Sequence, residues 1–337
     1  MILENLAQSN LSQQAGYGND ELSVRAVSKI KAACRNEAVD VHFVAGGTLA
    51  NLLVIGSLLK PYESVISAES GHINTHEAGA IEATGHKIEY VKSSDGKLSV
   101  SDIARLLMKF PKYHTVKPRM VYISNTTELG TVYSKQELED IYSYCSKNDL
   151  LVFIDGARLA MALTAGNLSL AELSRLCDVF YIGGTKCGAL LGEAVVITNP
   201  ALQPDFKYNV KQRGALLAKG RALGAQFDTL FTDDLIFTLA RHANAMAAKI
   251  AGAFRELGYR FLCEPESNQV FPIMKFSQIK KLGQKYEFFE WEELDDEHSA
   301  LRLVTSWATP EEAVDRFVKD LKSVTKATAP SPSGDRL

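Results

Sequence analysis

A two-domain α/β protein, with a largely parallel sheet in the larger domain, is what this 337-residue sequence predicts, and three observations carry the expectation. Between about residues 41 and 200, short β-branched or aromatic runs alternate with amphipathic stretches, the order of strands joined by crossover helices. An alanine-rich amphipathic stretch from 233 to 257 then interrupts the alternation. Beyond it, strand-like segments return and a last amphipathic segment closes the pattern. A chain of this length suits one large domain with a smaller one appended. The expected boundaries are 1–240 for the large domain, N-terminal helix included, 241–326 for a small α+β domain, and 327–337 for a disordered tail.

The first helix is expected almost at Met1. Strands follow at residues 41–44, 64–67, 87–91, 120–124, 151–155, 179–183 and 194–198, with helices after Thr48, His72, Ser101, Ser134 and Ser169. Ser134 carries a specific start signal, since its hydroxyl can accept from the Glu137 N–H while the Glu137 side chain reaches back. The stretch 233–257 has no proline and no glycine before Gly252, so it reads as one helix linking the domains. Strands are then expected at 268–275, 286–293 and 300–307, and Thr309-Pro310-Glu311-Glu312 opens a final helix. After Lys326 the residues are small, polar and proline-rich, a composition that cannot build a core.

Hydrophobic residues at 46% and charged residues at 23% match ordinary globular proteins, and no apolar run approaches the length of a membrane-spanning helix. The formal charge of -3 comes without long runs of one sign, which argues against a nucleic-acid backbone or an anionic membrane as partner. Cys34, Cys145, Cys177, Cys187 and Cys263 are scattered and form no C-x-x-C pair, so a reducing, cytoplasmic setting is expected rather than a disulfide framework.

Four features carry chemistry. Gly46-Gly47-Thr48 follows an apolar strand and opens a helix, so its backbone N–H groups suit an anion such as a phosphate; alone, such a turn is more often simple punctuation. Asp155 closes the apolar run 151–154 at the edge where α/β sheets bind ligands, and a buried carboxylate there calls for a partner, expected to be a buried cation. The competing reading makes Asp155 a helix N-cap. Lys186 lies in Gly183-Gly184-Thr185-Lys186-Cys187-Gly188, where glycines permit close approach of a bulky group and a half-buried amine could attack an aldehyde. His72 follows Gly71 and precedes His76 and Glu77; the two histidines have no third ligand at sensible spacing, so no metal is expected. One cofactor needs a phosphate site, a carboxylate for a ring nitrogen, a lysine for an aldehyde and a flat side chain for a ring face. That cofactor is pyridoxal 5'-phosphate.

With these residues in place, the chain resembles the low-specificity threonine aldolases and neighbouring β-eliminating lyases of the aspartate-aminotransferase-like fold, pyridoxal-phosphate fold type I. The resemblance covers about residues 16–307 and rests on Gly16-Tyr17-Gly18-Asn19-Asp20, Gly47-Thr48, His72-Ile73 with Glu77, Asp155-Gly156-Ala157-Arg158-Leu159, Gly184-Thr185-Lys186 and Arg302-Leu303-Val304-Thr305. It implies that Gly46, Gly47, Thr48, Ala157, Arg158 and Thr185 help to bind the cofactor, that His72 stacks on its ring, that Asp155 pairs with its nitrogen, and that Lys186 joins its aldehyde as a Schiff base. Arg158, Arg302 and Tyr17 would bind the amino-acid substrate. Lys211, Arg213 and Arg221 match a region that reaches a phosphate across a subunit contact, and a homodimer or homotetramer is implied.

The implied reaction splits a β-hydroxy-α-amino acid such as threonine, allo-threonine or phenylserine into glycine and an aldehyde, with His72, His76 or a water as base. Two departures from the family stand out. Asn125-Thr126 is followed by Thr127 where familiar members carry a histidine, and with the first helix expected almost at Met1 the Asp-x-x-Ser/Thr segment that usually precedes it is either absent or cut off by a start codon placed late. An aminotransferase, a β-eliminating lyase, or a catalytically weak relative serving as an assembly partner would use the same apparatus.

Overall fold

The structure is a computed structural model in which residues 1–110 and 113–328 are described. The chain divides into two compact units, Met1–Arg241 and His242–Leu337.

Seven strands of the first unit form one sheet: β1 Asp40–Val44, β2 Glu63–Ala68, β3 Ile88–Val91, β4 Lys117–Ser124, β5 Leu151–Asp155, β6 Val179–Gly183 and β7 Glu193–Ile197. Their order is β1-β7-β6-β5-β4-β2-β3. β7 runs antiparallel to both β1 and β6, while the remaining pairs are parallel. Every residue of β5 and β6 is buried, as expected of central strands covered on both faces. Side chains of Leu53, Val65, Met120, Phe153, Tyr181 and Val195 pack in the core of this unit.

The helices of the unit are α1 Ile2–Ser9, α2 Glu21–Cys34, α3 Gly47–Leu58, α4 His72–Thr75, α5 Val100–Leu107, α6 Lys135–Lys147, α7 Leu159–Ala165, α8 Leu170–Leu173, α9 Phe206–Gln212 and α10 Arg221–Leu230. Ser134 caps α6 through the reciprocal pair with Glu137 that its spacing predicts. α5 is capped by Ser99 with Asp102, two residues before the start expected at Ser101. The helix expected after Ser169 is confined to Leu170–Leu173. α11, Leu235–Glu256, lies within the expected linking stretch and contains the division between the units.

In the second unit, β8 Gln269–Val270, β9 Ile273–Lys275, β10 Phe289–Glu293 and β11 His298–Val304 make a small sheet in which β11 pairs with the other three. The single strand expected at 268–275 is two, interrupted at Phe271-Pro272 because proline has no N–H to give a ladder. α12 Phe276–Leu282 and α13 Glu311–Thr328 pack with Phe254, Met274 and Leu301 around a separate core. α13 takes in two residues of the segment expected to be disordered; the rest of that segment lies outside the described residues. Among the described residues no helix is long and apolar enough to cross a membrane.

Candidate active site

The parallel strands of the first unit end at one edge of the sheet, and the reversed β7 begins there. Ser124 lies opposite Asp155, and Glu193 lies opposite both Gly183 and Val44. The turns that follow β1, β2, β4, β5 and β6 therefore gather the predicted residues at the carboxyl edge, where such sheets bind ligands.

Asp155 is 4% exposed, and among the described residues its hydrogen-bond partners are neutral donors. Oδ2 accepts from the Tyr122 hydroxyl at 2.5 Å and from Asn51 Nδ2 at 3.0 Å; Oδ1 accepts from the Tyr181 hydroxyl and from the Ala157 N–H at 3.0 Å. Four neutral donors compensate the carboxylate without a counter-charge, which suits a group intended to meet one. Gly156 is required beside it, since a Cβ there would stand 1.8 Å from the Tyr181 carbonyl oxygen. Burial and the Asp155 charge push both tyrosines well above their usual ionisation range, so they act as donors.

Asn51 ties Asp155 to His72. Its amide gives its other hydrogen to Glu77 Oε1 at 2.6 Å, and Glu77 Oε1 is 2.8 Å from His72 Nδ1. The Glu77 hydrogen bond raises the His72 pKa, burial works against it, and the charges of Asp155, Glu77 and Glu128 reinforce it. The backbone N–H of His72 donates to Glu128 Oε1 at 2.8 Å, and Ser124 Oγ donates to the same oxygen at 2.6 Å. Enclosure of the Glu128 carboxyl pushes its pKa up. Three enclosed oxygens of this group, Asn51 Oδ1, Glu77 Oε2 and Glu128 Oε2, have no hydrogen-bond partner among the described residues. Sequence reasoning found His72 and Glu77 but missed Asn51, Glu128, Tyr122 and Tyr181.

Gly46 precedes α3 with no side-chain cap, so the first N–H groups of that helix point outward without an intrahelical acceptor. A Cβ on Gly47 would stand 3.0 Å from the Tyr181 hydroxyl, which places this helix start against the Asp155 group. Thr48 is exposed.

Lys186 sits on the turn after β6 and is exposed in the single chain, not half-buried as expected, because the turn carries it beyond the strand end. Its turn is nevertheless held from below. Glu193, 4% exposed, accepts from the Gly184 N–H at 3.0 Å and from the Thr185 hydroxyl at 2.9 Å. Burial pushes the Glu193 carboxyl up to about 8 against the opposing effect of these donors. Arg158 is half-buried at the start of α7.

Other predicted residues lie elsewhere. Tyr17, 46% exposed, lies under Lys211 Nζ at 4.7 Å and lines a crevice of about 80 Å³ with Val41, His42 and Phe43, which shares no residue with the Asp155 group. Arg221 donates to the carbonyls of Ser9, Asn10 and Ser12 at 2.7–3.0 Å, so its guanidinium finishes α1 of its own chain. Thr127 is buried, with Oγ1 2.7 Å from Thr131 Oγ1 inside its turn. His76 is exposed and its ring stacks at 5.5 Å on that of His72. Arg302 belongs to the second unit, where Nε and Nη2 donate to Gln269 Oε1 at 3.1 and 2.6 Å and the guanidinium lies over Trp291. Among the described residues no three His, Cys, Asp or Glu side chains gather as metal ligands, and all five cysteines are buried and outside any disulfide.

Three comparisons bear on this arrangement. The family model described as β-eliminating lyase matches residues 1–277. A low specificity L-threonine aldolase of Pseudomonas aeruginosa is 33% identical over 95% of this chain and 92% of its own length. The solved structure of a threonine aldolase from Leishmania major superposes with a TM-score of 0.95 at 46% identity, covering 96% of this chain and 95% of that one. A serine palmitoyltransferase of Sphingomonas wittichii, 14% identical with a TM-score of 0.74 and covering 97% of this chain and 83% of that one, shares the fold alone.

Proposed function

The chain belongs to the β-eliminating lyase family, and from that premise we propose that it is a pyridoxal-phosphate enzyme cleaving β-hydroxy-α-amino acids to glycine and an aldehyde. One observation carries the reading: a carboxylate compensated by four neutral donors, an uncapped helix start and a lysine turn share one edge of one sheet. The residues fit the cofactor. The α3 start offers donors only, as a phosphate requires, and the enclosed oxygens of Asn51, Glu77 and Glu128 leave acceptor capacity beside His72.

Gly46, Gly47 and Thr48 would hold the phosphate, with Thr185, Ala157 and Arg158 completing the cradle and His72 offering its ring face. When bound, the cofactor supplies an aldehyde for an amine and a ring that takes up electron density from a breaking bond. Asp155 would keep a proton on the ring nitrogen, and Tyr122, Tyr181 and Asn51 hold its carboxylate in place for that task. Lys186 supplies the amine. Arg158 would take the substrate carboxylate through its planar guanidinium fork, and the family resemblance adds Arg302 and Tyr17 as further substrate contacts. His72, protonated more readily than an ordinary histidine, would move the proton of the β-hydroxyl. The exposure of Thr48, Lys186 and Tyr17 in the single chain supports a site completed in a homo-oligomer, which mass measurement in solution checks.

Purified protein should absorb in the visible, and Lys186→Ala should lose that band while remaining folded. Borohydride should fix the cofactor to the peptide containing Lys186. Threonine, allo-threonine or phenylserine should yield glycine and aldehyde in equal amounts; accumulation of a keto acid instead would overturn the aldolase reading.

A further inference from the structure

Glu193 is a buried acid that the proposed reaction does not use. It stands where it does because β7 is reversed: the first residue of that strand comes to the edge where its neighbours end, opposite Val44 and Gly183. From there its two oxygens reach the two residues before Lys186. Oε2 accepts the Gly184 N–H and Oε1 the Thr185 hydroxyl, while Thr185 Oγ1 in turn accepts the Gly192 N–H at 3.0 Å. The backbone closes the same loop, with the N–H groups of Gly184 and Thr185 meeting the Gly192 carbonyl at 3.0 and 3.2 Å.

A neutral serine or asparagine would satisfy such donors without the cost of enclosing a charge. We propose that Glu193 is a positioning residue for Lys186: it clamps the turn that presents the amine, and the clamp tightens when its carboxyl loses its proton. This rests on the reading of Lys186 as the cofactor's amine. Hydrogen bonds to an ionised acceptor are about twice as strong as neutral ones, so ionisation stiffens the turn. The surroundings set that ionisation close to working pH. Burial raises it, Asp155 at the end of β5 adds to the rise, and Lys186 opposes it, for a value of about 8. Tyr181 from β6 and Cys187 on the turn also face the carboxyl, and both are held in their neutral forms by burial. β1 contributes Val44 and α10 contributes Leu223 and Phe227 near Gly192, none of which titrates.

The test is amide hydrogen exchange of the protein as purified, followed by mass spectrometry and expressed relative to the intrinsic rate at each pH. Protection of residues 184–188 should rise roughly ten-fold from pH 7 to pH 9 in the parent protein. In Glu193→Gln, which keeps an acceptor and lets the Thr185 hydroxyl turn, protection should be flat, and the pH midpoint of the visible band should move. Residues 151–155 serve as the control and should show no gain in protection. Equal pH dependence in parent and variant, or none in the parent, overturns the proposal; the parent series stands even if the variant does not fold. Retention of the visible band in Lys186→Ala would sink the cofactor assignment while leaving the exchange result to be judged by itself.

Discussion

Asn51, inside α3, gives one amide hydrogen to Asp155 across 3.0 Å and the other to Glu77 across 2.6 Å. One neutral side chain thus serves two buried acids. Asn51→Ala leaves both short of a donor, and unfolding free energy should fall by about 1–3 kcal/mol with loss of cofactor content. Urea unfolding with absorbance in parallel measures both; an unchanged midpoint would show that another donor takes over.

Gly47 and Gly156 separate function from folding. A methyl at Gly47 meets the Tyr181 hydroxyl at 3.0 Å, a contact that yields by a few tenths of an ångström. Gly47→Ala should fold, with a stability change within about 1 kcal/mol, and bind the cofactor more weakly. At Gly156 the same methyl would stand 1.8 Å from a backbone oxygen, so Gly156→Ala should not give soluble protein. Titration of cofactor-free Gly47→Ala with pyridoxal phosphate decides the first case, and soluble yield the second.

Glu77→Gln should lower the His72 midpoint toward the ordinary 6.5. Because the folded value is raised, the stabilisation from this pair is fully present below 6.5 and disappears as pH rises through the folded value. The parent should therefore exceed the variant in stability most clearly in mild acid. NMR titration of His72 reads the midpoint; an identical curve in the variant would assign the raised value to Asp155 and Glu128 instead.

Glu193 gives stability an opposite acid-range signature to that of an ion-paired carboxylate. Its folded value is raised from 4.5 to about 8, so between these the native chain holds a proton that the unfolded chain has lost. Its contribution to stability should fall by a few kcal/mol as pH rises across that window and level off above it. Glu193→Gln should remove this slope in chemical unfolding series from pH 5 to 9.

If Arg302 holds the substrate carboxylate as proposed, Arg302→Ala should raise KM for the amino acid more than it lowers kcat, because such a group would bind substrate and reacting species alike. Gln269, which accepts from both Nε and Nη2, aims the guanidinium, so Gln269→Ala should give a milder change of the same kind. Steady-state kinetics on threonine separates these cases.

The sequence made the sheet legible because central strands are uniform apolar runs, and β5 and β6 have the bounds expected from 151–155 and 179–183. α2 was missed although Asp20 caps Ser23 and Leu22, Ala26, Ile30 and Cys34 recur on one buried face, a spacing that could have been read. Glycine-flanked motifs pointed to Lys186, Gly47 and Asp155 as candidates. The partners of Asp155 stayed hidden because Tyr122 and Tyr181 lie inside apolar strands and Asn51 inside a helix, 33, 26 and 104 residues away along the chain. Nothing local distinguishes a tyrosine that fills a core from one that holds an acid. Lys186 was expected to be half-buried because the glycines show close packing of the turn, not the direction of the side chain leaving it.

The reversal of β7 also makes residues 184–192 a hairpin loop pinned at both ends, by Gly183 against Glu193 and by Gly184 against Gly192. An insertion or deletion there has no helix to absorb it and must reposition Lys186 or shift β7 by one position, exchanging the side chains on its two buried faces. The length of this loop is thus as constrained as the lysine itself.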